Sequence, residues 1–68
     1  MEWTESIRRS IEFIEKHLTE NISAADIASE VFISPYYFQK AFSILTGYTV
    51  GEYIRNRRLY LAALDIAA

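Results

Sequence analysis

The chain of 68 residues has no cysteine, which excludes a disulfide framework and any thiolate metal site. It has a single histidine, His17, which cannot build a metal cluster alone, and no ligand spacing among the acids supplies the rest. No metal or other cofactor is expected. A Gly-rich phosphate loop and a nucleophile–base pair are missing too, so no enzymatic chemistry is expected. No apolar run approaches the roughly 18 residues that span a bilayer, and the start Met1-Glu2-Trp3 lacks the basic stretch of a signal peptide. The expectation is one small cytoplasmic domain with no membrane partner, its single core only marginally stable.

Net charge is also low, at −2, which by itself speaks against binding to nucleic acid, but the sum hides a split. Residues 1–33 carry Arg8, Arg9 and Lys16 against seven acids. Over residues 34–60 the balance reverses, with Lys40, Arg55, Arg57 and Arg58 facing only Glu52. A basic half docks on phosphate locally while long-range steering stays weak.

What the chain does have is helical periodicity, in four segments and without strand alternation or hairpin signals. The fold class expected is all-α. Trp3, Ile7, Ile11, Ile14 and Leu18 share one face of a first helix, from about Thr4 to Leu18, with Glu5, Arg8, Arg9, Glu12 and Lys16 opposite. Ser23, followed three residues later by Asp26, has the form of an N-cap with an acid at N3 and opens a short helix over about Ala24 to Glu30. Ser34-Pro35 is a hydroxyl cap with proline at N1, where the missing N–H costs nothing. The third helix therefore starts at that pair and runs to about Leu45, with Gly47 placed as a left-handed C′ residue. Thr49 and Glu52 form a capping box for a fourth helix that reaches about Ile66.

Val31-Phe32-Ile33 joins the second and third helices with the connector length of a DNA-binding helix-turn-helix. On the third helix, Phe38, Ala41, Phe42 and Leu45 fall to one side and predict core, most firmly for Phe38 and Phe42. Tyr36, Gln39, Lys40 and Ser43 fall on the other. Those groups suit a major groove, since Gln bonds adenine bidentately, Lys bonds guanine or phosphate, and Tyr brings a ring and a hydroxyl. On periodicity alone the same face reads first as an ordinary solvated one. Tyr37 and Ile44 lie on its flank, where packing and DNA contact are equally expected. The position before Ile33 is often glycine in such motifs, and here it is Phe32. A bulky residue at positive φ is strained, so either the turn takes another geometry or the strain is tolerated.

The ordered set Ala28, Ser34, Phe38, Phe42, Gly47, Tyr53, Ile54, Arg58, Leu59 and Ala62 resembles the AraC family of bacterial transcription regulators. The spacing holds over about 40 residues of the family pattern. The resemblance implies a small homeodomain-like helix-turn-helix subdomain followed by a long linker helix (about 49–66), here the first half of a bipartite DNA-binding unit over residues 1–68. It implies operator DNA as partner, with Ser34 as the cap whose backbone approaches phosphate and Tyr36, Gln39 and Lys40 as base or phosphate readers. Ser43 completes the expected contact set. It also implies a second helix-turn-helix beyond Ala68 and a small-molecule effector acting through another domain. If Met1 is the native start, that domain follows the second helix-turn-helix.

The fourth helix points the same way, because it has two apolar faces. Val50, Ile54, Arg58 and Leu61 share one side, while Leu59, Ala62, Ala63 and Ile66 cluster about 130° away. One small subdomain covers only the first. Arg58 is read as structural, bonding an acid or a helix C-terminus within the fold. Arg55 and Arg57 are read as solvated, His17 as a surface residue, and Trp3 as core. The competing reading is a helical protein-interaction module that uses the exposed face of the last helix.

Overall fold

Four helices follow one another: α1 (Trp3–Lys16), α2 (Ala24–Glu30), α3 (Pro35–Thr46) and α4 (Val50–Ala67). The computed structural model describes residues 2–67, and among them there is no strand. The all-α expectation holds.

Short-range chemistry fixes where most helices begin. At α2, the Asp26 N–H donates to Ser23 Oγ (3.1 Å) and the Ser23 N–H donates back to Asp26 Oδ2 (3.0 Å). The same reciprocal pair recurs at α4, where the Glu52 N–H reaches Thr49 Oγ1 (3.1 Å) and the Thr49 N–H reaches Glu52 Oε1 (2.9 Å). Each pair satisfies two backbone donors that a helix start otherwise leaves without partners. The Thr49 N–H holds the Glu52 carboxyl below the usual carboxylate range. Ser34 caps α3 more loosely, accepting from the Tyr37 N–H at 3.4 Å, with Pro35 in the first turn. Gly47 ends α3 at φ 81°, in the left-handed region where a side chain is disfavoured.

α1 is shorter than its apolar stripe suggests. It ends at Lys16, and His17 leaves helical geometry at φ −122° and ψ 23°. Leu18 is buried all the same, because the chain turns inward after the helix, closed by the Glu20 N–H to the His17 carbonyl (3.0 Å). His17 sits partly covered, its ring 4.3 Å from that of Phe13 and its Nδ1 against Glu20.

The core joins Ile7, Ile14 and Leu18 to Ile27 and Ala28 of α2, Val31 and Ile33 of the turn, Phe38 and Phe42 of α3, and Val50 and Ile54 of α4. Phe38 and Phe42 stand 5.7 Å apart between ring centroids, and Tyr53 meets Phe42 edge-on at 5.5 Å. Full burial of each large side chain contributes about 1.5–3 kcal/mol. Ser10 is the buried polar residue among these apolar groups, with its hydroxyl donating to the Ile7 carbonyl at 2.6 Å.

Three expected core members stay at the surface, among them Leu61, which shares the packed side of α4 but lies beyond the reach of the other helices and is exposed. Trp3 is 39 % exposed and Leu45 about half exposed. Each lies at the far end of its helix, Trp3 in the first turn of α1 and Leu45 in the last of α3, where no third element arrives to cover it. Together with Tyr37, Lys40, Ala41 and Ile44 they line an open apolar groove.

Candidate nucleic-acid interface

α2 and α3 pack against each other and both pack on α1, so α3 is held by one face and open on the other. The turn between them sets that arrangement. The Phe32 N–H bonds the Ser29 carbonyl (3.2 Å) and the Ile33 N–H bonds the Ala28 carbonyl (3.0 Å), which is the pattern that closes a helix around a left-handed residue. Phe32 is that residue, at φ 60°. Of the two outcomes open for this turn, the strain is tolerated. Val31 and Ile33 anchor the turn in the core on either side, and the Phe32 ring, 83 % exposed, avoids it.

With that turn closed, α3 presents Tyr36, Gln39 and Lys40 to solvent, with Ser43 half-buried beside them and Ser34 exposed at the helix start. Lys40 Nζ stands 5.9 Å from the Tyr36 ring centroid, and Tyr36 meets Tyr37 edge to face at 5.2 Å. The face thus carries a ring, an amide, an ammonium and a hydroxyl on about two helical turns, the chemistry a base edge asks for. Tyr37 and Ile44 are both exposed on the flank. Tyr37 joins the candidate surface through its contact with Tyr36, a contact that a helical wheel does not register because neighbouring residues point about 100° apart.

The basic half is less free than its composition suggests. Arg58 Nε donates to the Leu18 carbonyl (2.8 Å) and Arg58 Nη2 to the Glu20 carbonyl (2.6 Å), so the structural reading of Arg58 holds. Arg57, read as solvated, instead pairs with Glu15 at 2.8 Å and lies 5.2 Å from the Tyr60 ring. Arg55 is exposed. Lys40, Arg55 and Arg58 are exposed, and of these Arg58 already has its guanidinium engaged by backbone carbonyls. Burial and the nearby Glu15 carboxylate push the Tyr53 hydroxyl upward, with Arg57 opposing.

Among the described residues no group of His, Cys, Asp and Glu is arranged to hold a metal ion, and no described helix is long and apolar enough to cross a membrane.

Comparison with known proteins gives the arrangement a context. Residues 14–55 match the profile of bacterial regulatory helix-turn-helix proteins of the AraC family, a stretch that contains the whole of α2, the turn and α3. The chain is 38 % identical over 60 residues to the regulatory protein SoxS of Salmonella typhimurium, covering 88 % of this chain and 56 % of that protein. It is 38 % identical over 63 residues to the uncharacterized HTH-type transcriptional regulator YbfP of Bacillus subtilis, covering 93 % of this chain and 21 % of YbfP. It is 33 % identical over 60 residues to the right origin-binding protein of Escherichia coli, covering 88 % of this chain and 21 % of the relative. The chain thus spans little more than half the length of SoxS. No solved structure gives a significant match.

Proposed function

The chain belongs to the AraC family of bacterial regulatory helix-turn-helix proteins, and we propose that α3 is its major-groove reading helix. DNA binding in transcription regulation is the function that the family and its regulatory relatives support. The observation that carries the assignment to α3 is geometric. This helix buries Phe38 and Phe42 completely and, from the opposite side, turns Tyr36, Gln39 and Lys40 to solvent. In this reading Gln39 pairs with a base edge, Lys40 reaches a base or a phosphate, and Tyr36 makes ring contact, with Ser43 at the margin. Ser34 brings the start of α3 against the phosphate backbone.

The chain forms the first half of a bipartite unit in this proposal. α4 offers support, since Leu59, Leu64 and Ile66 are all exposed on its outer half, an apolar surface suited to a second helix-turn-helix. Regulation by a small molecule through a further domain belongs to the same proposal.

The test is selection of binding sites from random duplexes, followed by affinity measurement for Gln39→Ala. The expected loss is about 1–3 kcal/mol, confined to one base-pair position. An equal loss on every sequence removes Gln39 from base reading. For Lys40→Ala, a shallower dependence of affinity on salt assigns the ammonium to phosphate.

A further inference from the structure

We infer that Arg57 and Arg58 are positioning residues that aim α4 relative to the reading helix. The inference begins with how little else holds α4. Its buried residues are Val50 and Ile54, one helical turn apart on a single line, with Tyr53 leaning on Phe42 beside them. These contacts lie within the first five residues of α4 and make a hinge, because the rest of the helix swings as a lever beyond them. The direction becomes fixed when contacts farther along the helix are added.

The two arginines supply those contacts, and they reach different elements. Arg57 pairs with Glu15 on α1. Arg58 bonds the carbonyls of Leu18 and Glu20 in the segment between α1 and α2. These carbonyls follow directly on the end of α1, where a cation is favoured by the helix dipole. A guanidinium carries several donors in a rigid fork, so Arg58 holds two acceptors at once in one orientation. Beyond Arg58 the large side chains of α4 are exposed among the described residues.

Small errors matter. From Ile54 to Ala67 the helix is about 20 Å long, and a swing of roughly 10° moves its far end by about 3.4 Å, one base-pair step. If α4 carries a second DNA-contacting unit, as proposed above, Arg57 and Arg58 set the distance between the two contacts on the duplex. That consequence rests on the DNA-reading assignment of α3. The aiming itself does not.

The sequence has no cysteine, so spin labels go only where they are introduced. One pair, at Ser29→Cys on α2 and Asp65→Cys on α4, reports the direction of α4 by double electron–electron resonance. A second pair, at Glu12→Cys and Ser29→Cys, reports whether α1 and α2 keep their packing. The native arginines give a narrow distance distribution for both pairs. Replacing both arginines by alanine broadens the Ser29–Asp65 distribution and leaves the Glu12–Ser29 distribution narrow. Arg58→Lys restores part of the narrowing, since an ammonium still bonds a carbonyl but without the fork. An unchanged Ser29–Asp65 distribution in the double variant overturns the inference, and so does broadening of both pairs together, which means general loosening. Failure of the α3 assignment is read separately, from the response of DNA affinity to Gln39→Ala.

Discussion

α3 and the outer half of α4 are both rich in large apolar side chains, yet they live in different surroundings. In α3, Phe38 and Phe42 are fully enclosed by α1, α2 and the start of α4. In α4, every large apolar residue from Leu59 to Ile66 is exposed, Ile66 to 88 %. Apolar content therefore does not decide burial. A second layer must arrive on the face in question, and α3 has one where outer α4 has none.

The largest expected effect lies on the enclosed side. Phe42→Ala should cost about 3–5 kcal/mol, enough to unfold a domain of this size across most of a denaturant range, while Leu64→Ala should shift stability by less than about 0.5 kcal/mol. Urea titration followed by circular dichroism measures both. A Leu64→Ala loss comparable to that of Phe42→Ala would end the contrast.

Next in size are two changes in the turn of the helix-turn-helix. Ser34→Ala should cost about 0.5–1 kcal/mol, at the low end for an N-cap because its bond is long, and should also weaken DNA binding if α3 reads DNA. Phe32→Gly should raise stability by about 0.5–1 kcal/mol, since it removes a non-glycine residue from positive φ and gives up little packing from an exposed ring. A fall in melting temperature for Phe32→Gly would mean that the ring makes a stabilising contact in the folded chain.

The smallest effect separates the start of α4 from its outer half. The Glu52 carboxyl is held below its ordinary range by the Thr49 N–H, so its contribution is fully present above the unfolded value and is lost as pH falls through the folded one. On acidification, amide protection in the first turn of α4 should drop before the core opens. Glu52→Gln should abolish that early step while keeping the cap. If the Gln variant shows the same early loss, another group is responsible.

Much of this was legible in the sequence, and the exceptions share a cause. The caps at Ser23, Ser34 and Thr49 and the left-handed Gly47 were readable because each works within three or four residues of itself. Phe38 and Phe42 were readable because α3 has one covered face, which a wheel locates. The wheel misplaces Trp3, Leu45 and Leu61 because it has no ends, and each sits where its helix outruns its neighbours. The end of α1 was placed two residues late because Leu18, though apolar and in phase, is buried from a turn. Arg57 was read as solvated because its partner Glu15 lies 42 positions away. The candidate face is legible as chemistry on Tyr36, Gln39, Lys40 and Ser43, while its extension to Tyr37 requires coordinates.

The twin reciprocal caps at α2 and α4 have a kinetic consequence. Each is complete within a four-residue span, so these helix starts form on the timescale of local helix growth, below about a microsecond. The arginine ties from α4 to α1 and the segment after it close loops of about 40 residues, and such contacts come late because ordering the intervening chain costs entropy first. The three inner helices should therefore assemble before α4 takes its final direction. On opening the order reverses, and α4 releases while the helix-turn-helix is still intact.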